Sequence, residues 1–421
     1  MSKNRTNPKI IMSLVYLLLL GLTLFASSLL AQDIYNLNQG SIKQESYFQK
    51  IPYQNINGKL IVQVSINKKT YNFVFDTGSP LIISDKIFKE LNLPIITQEE
   101  VEDVSGVVKE MKVISLPELY LQGITFINTP GLVLHEKSSI IQDAFKIDGI
   151  IGSNMLRNSA VQIDEQSEHI IITNNVERLS IKKGIWLDMK LDPRQSRPFI
   201  EIHFYKGEQI VGVDYALFDT GASVFYRMTT SFYTDFYNWC NDNDCAGLIN
   251  KIAESEGSFT FGLHGVSENQ QYLLLNIPKL DINRTIFNDV VITTTNDSIS
   301  RIGSKLLQYG KVTLDFINKR FHFEAFDNIN TNDLSERPWA IDTTWQNDKL
   351  VVGIIWDKAL ESQINLGDEV LSINGIDTRS MSLSKFLNTP FYNETSSNEE
   401  VIFELRDIKT GKIKPVKIKR L

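Results

Sequence analysis

The sequence predicts a mainly β protein of two pseudo-symmetric lobes, each a closed barrel, followed by a small C-terminal α+β module. Three observations predict it. An Asp-Thr-Gly triplet ends an apolar, strand-forming run twice, at Asp76-Thr77-Gly78 and at Asp219-Thr220-Gly221. The segments flanking the two triplets recur in the same order, which marks an internal repeat. After residue 326 the text changes: a polar stretch over 328–337 ends in Pro338, and further short strand-like runs follow.

The first lobe is expected over 47–180. Residues 59–66 alternate with β-branched side chains, 67–69 read as a turn, and 71–75 return as a second strand. The uninterrupted Phe73-Val74-Phe75 run fits a strand buried on both faces, and Gly78 lets the chain turn sharply at its end. A short helix over 87–93 stops at Pro94. Residues 101–113 hold Ser105-Gly106 between two strand-like arms, a protruding hairpin. Asp148-Gly149-Ile150-Ile151-Gly152 then precedes a helical 153–158, and strands at 160–164 and 170–172 close the lobe.

The second lobe, 181–326, repeats this order. Strands at 199–205 and 216–218 lead into Asp219, and a helix over 230–239 follows. Gly262-Leu263-His264-Gly265 forms a second hairpin tip. Ile302-Gly303 answers Ile151-Gly152, preceded here by Arg301. Two such units are expected to face each other across a pseudo-two-fold axis within one monomeric chain.

The 421 residues suffice for two or three domains with real cores. A formal net charge of −7 and the absence of any basic block set nucleic acid aside as a partner. Residues 1–31 read as a targeting segment: Lys3, Arg5 and Lys9 precede a long apolar run, and Ala31-Gln32 resembles a cleavage junction. A cleaved export signal is expected, with an uncleaved membrane anchor as the alternative; either puts the chain in the periplasm or outside the cell. Residues 33–52 are either a segment removed on maturation or a leader strand. Cys240 and Cys245 are expected to form a local disulfide in an exported protein. The five histidines are scattered, and no metal site or cofactor is expected.

Two strand-end carboxyls from symmetric units can meet on one axis. Close together they cannot both ionise, so one pKa rises and a proton is shared. The ionised member can take a proton from a water while the protonated member donates to a carbonyl oxygen. Thr77 and Thr220 can bond across the interface, and Gly78 and Gly221 let the backbone approach the acids. Ser79 is positioned to bond the Asp76 carboxylate, which Ala222 cannot do for Asp219. The shared proton suggests an optimum on the acid side of neutrality.

The doubled Asp-Thr-Gly, each followed by an Ile-Gly element, resembles the aspartic proteases, and most closely the bacterial retropepsin-like group with both lobes on one chain. The resemblance implies endopeptidase activity on peptide or protein substrates, with Asp76 and Asp219 as the catalytic pair. It implies that the hairpins carrying Ser105-Gly106 and His264-Gly265 are flaps over the substrate. Leu366-Gly367-Asp368-Glu369-Val370 with Asn374-Gly375 resembles the PDZ family over 336–421, implying a module for substrate or partner recognition. The alternative to an enzyme is a catalytically silent peptide-binding protein using the same groove or the PDZ-like module.

Overall fold

Asparagine-led turns set the register of several hairpins. Asn67-Lys68, Asn283-Arg284 and Asn347-Asp348 all lie at left-handed φ, 48° and 66°, 51° and 64°, 50° and 59°. Asparagine visits this region more readily than most residues, and two consecutive left-handed residues match the twist of a hairpin. The pairs join Lys59–Ile66 to Lys69–Asp76, Gln270–Ile282 to Thr285–Thr293, and Ile341–Gln346 to Lys349–Ile355.

This computed structural model describes residues 35–134, 140–182, 184–243, 245, 247–388 and 400–421. The expected targeting segment lies outside them. The chain divides into two units, Met1–Asn36 and Leu37–Leu421, and the second holds every strand of the described residues. Among the described residues no helix is long and apolar enough to cross a membrane.

The fold is mainly β. Strands of the described residues gather into sheets of nine, six and fourteen. The nine-stranded sheet belongs to the first half. The six-stranded sheet is shared: Phe48–Pro52, His169–Thr173 and Ala160–Asp164 join Gly310–Asp315, Arg320–Ala325 and Leu187–Asp188. Its central pair, Ala160–Asp164 against Gly310–Asp315, runs antiparallel with Ala160 opposite Asp315 and stitches the halves together. Residues 37–52, left open by the sequence, are built into the fold: Leu37 is buried, and Phe48–Pro52 pairs with His169–Thr173.

One apolar core runs through both halves and includes Phe73, Phe75, Ile151, Phe218, Ile302 and Phe321. A separate cluster, including Trp339, Ile341, Val370, Phe403 and Ile418, holds the C-terminal strands and the short helix Leu383–Asn388. This C-terminal part touches both halves. Its strand Lys349–Ile355 extends the second half's sheet through Gly257 opposite Ile354. Its helix reaches the first half, where the Ser384 hydroxyl and the Asn388 amide donate to the Ala144 carbonyl at 2.8 and 2.7 Å.

Two of the helices among the described residues begin at capping side chains. Ser84 accepts from the Ile87 amide ahead of Asp85–Leu91, so this helix starts earlier than the sequence suggested. Thr229 caps Thr230–Asp242 by accepting from the Phe232 amide at 3.0 Å. Cys240 and Cys245 form a disulfide at the end of this helix, with Cα atoms 4.7 Å apart.

Gly152 and Gly303 mark the same point in each half, a crossing too tight for a side chain. A Cβ on Gly152 would stand 2.1 Å from the Pro80 carbonyl carbon, and one on Gly303 2.2 Å from the Val224 oxygen. Because backbone must move to make room, Gly152→Ala and Gly303→Ala should each destabilise the chain by about 1–3 kcal/mol, read from urea unfolding. Unchanged midpoints in both would show that these crossings yield freely.

Candidate active site

Each acid ends a strand whose last residues are buried on both faces. Lys69–Asp76 lies parallel to Gly149–Gly152, with Asp76 opposite Gly152 and Phe75 opposite Ile151. In the second half Gln209–Asp219 lies parallel to Arg301–Gly303, with Asp219 opposite Gly303 and Phe218 opposite Ile302. The register is the same in both copies. The Ile-Gly elements therefore act as the neighbouring strands that hold the acid-bearing ends in place. Phe73, Phe75 and Phe218 are fully buried, which fixes each strand by apolar packing up to the residue before the acid.

The two loops are locked by reciprocal bonds. The Thr77 amide donates to Thr220 Oγ1 and the Thr220 amide to Thr77 Oγ1, both at 3.1 Å. The Thr77 hydroxyl donates to the Phe218 carbonyl at 2.5 Å and the Thr220 hydroxyl to the Phe75 carbonyl at 2.8 Å. Both threonines are fully buried, so each bond replaces one that water would otherwise supply.

Beside this lock the carboxyls of Asp76 and Asp219 come within hydrogen-bonding reach of each other. The Gly78 amide donates to Asp76 Oδ1 at 2.8 Å, and the Gly221 amide to Asp219 Oδ1 at 2.9 Å. Each glycine also presses on the opposite acid. A Cβ on Gly78 would meet the Asp219 carboxyl carbon at 2.6 Å, and one on Gly221 would meet Asp76 Oδ2 at 2.2 Å. The Ser79 hydroxyl donates instead to the Pro80 carbonyl at 3.1 Å, so the Gly78 amide supplies the support that the sequence assigned to Ser79. The Ala222 amide donates to the Asp219 carbonyl at 3.1 Å and closes the second turn.

Two cations not expected from the sequence stand at the pair. Lys59, on the strand beside Lys69–Asp76, donates from Nζ to the Gly221 carbonyl. Burial pulls its pKa down, against the pull of Asp76 and Asp219. Arg301 Nε lies 3.2 Å from Asp219 Oδ2. Burial, followed by the charge on Asp219, pushes the Asp76 pKa up to about 8, with Lys59 and the Gly78 amide acting in opposition. Arg301 had one sequence signal, because it interrupts an apolar triplet that the first copy keeps as Ile150. Lys59 had none, since it opens an ordinary strand.

The hairpin tips meet each other. Ser105 is buried and its amide donates to Asp103 Oδ1 at 2.9 Å. The other Asp103 oxygen accepts from the His264 amide. His264 Nε2 lies 3.1 Å from the Val101 carbonyl, and Lys109 Nζ donates to the His264 carbonyl at 3.0 Å. His264 is thus buried between the two hairpins. Gly106 and Gly265 sit at the tips with positive φ, 78° and 153°. The second hairpin also leans on the C-terminal part, with the Phe261 ring 5.7 Å from that of Phe386.

Residues 62–155 match the family described as aspartyl protease. The match spans Asp76 and Gly152 and supports reading the chain as an aspartic protease; Asp219 lies beyond it. No curated protein matches the chain. Among solved structures, a retropepsin-like aspartic protease from Rickettsia conorii is 17% identical, with a TM-score of 0.23, over 32% of this chain and 94% of that one. An aspartic proteinase from Irpex lacteus is 13% identical, with a TM-score of 0.42, over 67% of this chain and 98% of that one.

Two outcomes are expected from this geometry. Thr220→Val strips the partners from the Thr77 amide and the Phe75 carbonyl and should cost roughly 1–3 kcal/mol in urea unfolding. A cost below the error of the fit would mean that the lock is dispensable. Asp76, with its folded pKa raised, binds a proton in the native state at pH values where the unfolded chain has lost it. Its contribution to stability is therefore full below the ordinary carboxylate pKa and lost as pH rises through about 8. The stability difference between the native chain and Asp76→Asn should shift in favour of the variant across that window; a pH-independent difference would contradict the raised pKa.

Proposed function

We propose that the chain is an exported aspartic endopeptidase, in which Asp76 and Asp219 cleave peptide bonds through an activated water. The observation that carries this reading is the meeting of two carboxyls at one seam, each tied to a glycine amide and fixed by crossed threonine bonds. The dyad works with one proton between its members. The ionised carboxylate takes a proton from water as the water oxygen attacks the peptide carbonyl carbon. The protonated carboxyl gives its proton to the carbonyl oxygen. The same groups then return a proton to the departing nitrogen, so no covalent intermediate forms and no cofactor is called on. The hairpins over the cleft fit a role as flaps, which open to admit an extended peptide and exclude water once closed.

The C-terminal part fits the PDZ-like role inferred from Leu366-Gly367-Asp368, aiding substrate or partner recognition. Its contacts with Ala144 and with Phe261 support a role next to the cleft. Export follows from the N-terminal segment, and the internal pseudo-symmetry suits a monomer. One observation favours the second reading, a peptide-binding protein with a silent groove: Asp219 already has Arg301 as an ionic partner.

Digestion of a peptide library by the purified chain, with and without a pepstatin-type inhibitor, separates the two. Asp76→Asn and Asp219→Asn should each lower kcat/KM by at least roughly 10²-fold while leaving the fold intact. Since the Asp76 proton is held to about pH 8, the working range should extend from the acid side through neutrality. Above that point the rate should fall about tenfold per pH unit. A native chain inert at every pH, or Asn variants as active as the native chain, would rule out the enzyme.

A further inference from the structure

The two halves differ on the strand that runs beside each acid. In the register of the parallel strands, Ile150 lies opposite Val74 in the first half, and Arg301 lies opposite Leu217 in the second. An apolar side chain thus accompanies Asp76 where a guanidinium accompanies Asp219. Arg301 is almost fully buried. Its Nε lies 3.2 Å from Asp219 Oδ2, and its NH1 donates to the Ile299 carbonyl at 2.9 Å and also contacts the Asp297 carboxylate. The group is therefore clamped by an acid on its own loop and aimed at the dyad. A second cation, Lys59, also stands at the two acids. Lys59 acts on both of them, and Asp76 and Asp219 act on each other. A further cation nearby, Arg227, sits opposite Arg301 on the antiparallel strand Tyr226–Arg227 and opposes it.

We propose that Arg301 is a positioning residue that polarises the dyad, holding Asp219 as the carboxylate that takes the proton from water and leaving Asp76 to carry the shared proton. This rests on the endopeptidase reading. In the forward step Asp219 accepts a proton from water, the water oxygen bonds the peptide carbon, and the Asp76 proton passes to the carbonyl oxygen. On collapse Asp219 returns its proton to the nitrogen as the carbon–nitrogen bond breaks, and Asp76 recovers its own from the diol. The sum is one water consumed and one amide split into acid and amine. A cation fixed at the strand end beside Asp219 supplies an asymmetry that two like loops cannot generate by themselves, and it does so before any substrate arrives.

The test uses the full chain. In Arg301→Ile, which installs the first half's residue, the Asp219 carboxylate loses its cation and binds a proton more readily. The acid limb of kcat/KM against pH should move up by about one unit, a roughly tenfold loss on that limb with a smaller change on the plateau. Arg301→Lys should restore the limb, and Arg301→Gln serves if the isoleucine variant fails to fold. A uniform loss at all pH values, or a lysine variant no better than isoleucine, would assign Arg301 a merely structural role and overturn the proposal. A second measurement needs neither turnover nor a variant: the carboxyl-carbon NMR shifts of Asp76 and Asp219 in the native chain. Asp76 should be the member that carries the shared proton; a pair in which Asp219 carries it overturns the proposal. Active Asp76→Asn and Asp219→Asn variants would instead overturn the endopeptidase reading, so the two failures are told apart.

Discussion

The structure depends on keeping two carboxyls close together and largely shielded from water. Two negative charges at such a distance repel, and burial penalises each of them. The fold answers with amides, hydroxyls and cations brought from several elements. The Gly78 and Gly221 amides bond the acids, and the absence of side chains on these residues lets the opposite carboxyl come close. The threonine lock holds the loops at a fixed spacing, and Lys59 and Arg301 bring positive charge to the same point. Each of these would be pointless without the others, since a buried acid lacking donors would reorganise or stay protonated.

The same constraint explains why the halves are joined so thoroughly. A dyad shared between lobes is only as well placed as the seam. Here the seam is a continuous apolar core and a sheet to which both halves contribute strands, with Ala160–Asp164 and Gly310–Asp315 paired at its centre. The two hairpin tips are joined by polar contacts through Asp103, His264 and Lys109. The C-terminal part spans the two regions, bonded to Ala144 of the first half and packed on Phe261 of the second hairpin.

Much of this was legible in the chain. The strands ending at Asp76 and Asp219 are apolar to the last residue before the acid, and period and punctuation suffice to find them. The repeat of Ile-Gly after each triplet was legible too, while its parallel pairing with the acid-bearing strand came from the fold. The misreadings are local and share a cause. The Ser79 hydroxyl turns to Pro80, and His264 is buried between the two hairpins, because each partner is decided by atoms that no sequence spacing brings together. Phe48–Pro52 was ambiguous because a short strand has no signature until its partner, His169–Thr173, is known.

The sequence by itself determined the mainly β character, the duplicated acid-bearing strand ends and the order of elements around them, since these follow from local alternation, turn chemistry and repetition. Only the tertiary structure decided which groups surround the acids. Lys59 lies in the first half yet bonds the Gly221 carbonyl in the second, and Arg301 faces Asp219 because two strands run parallel in register. The physical reason is that charge environment depends on distance through space, and folding sets those distances among residues far apart in the chain.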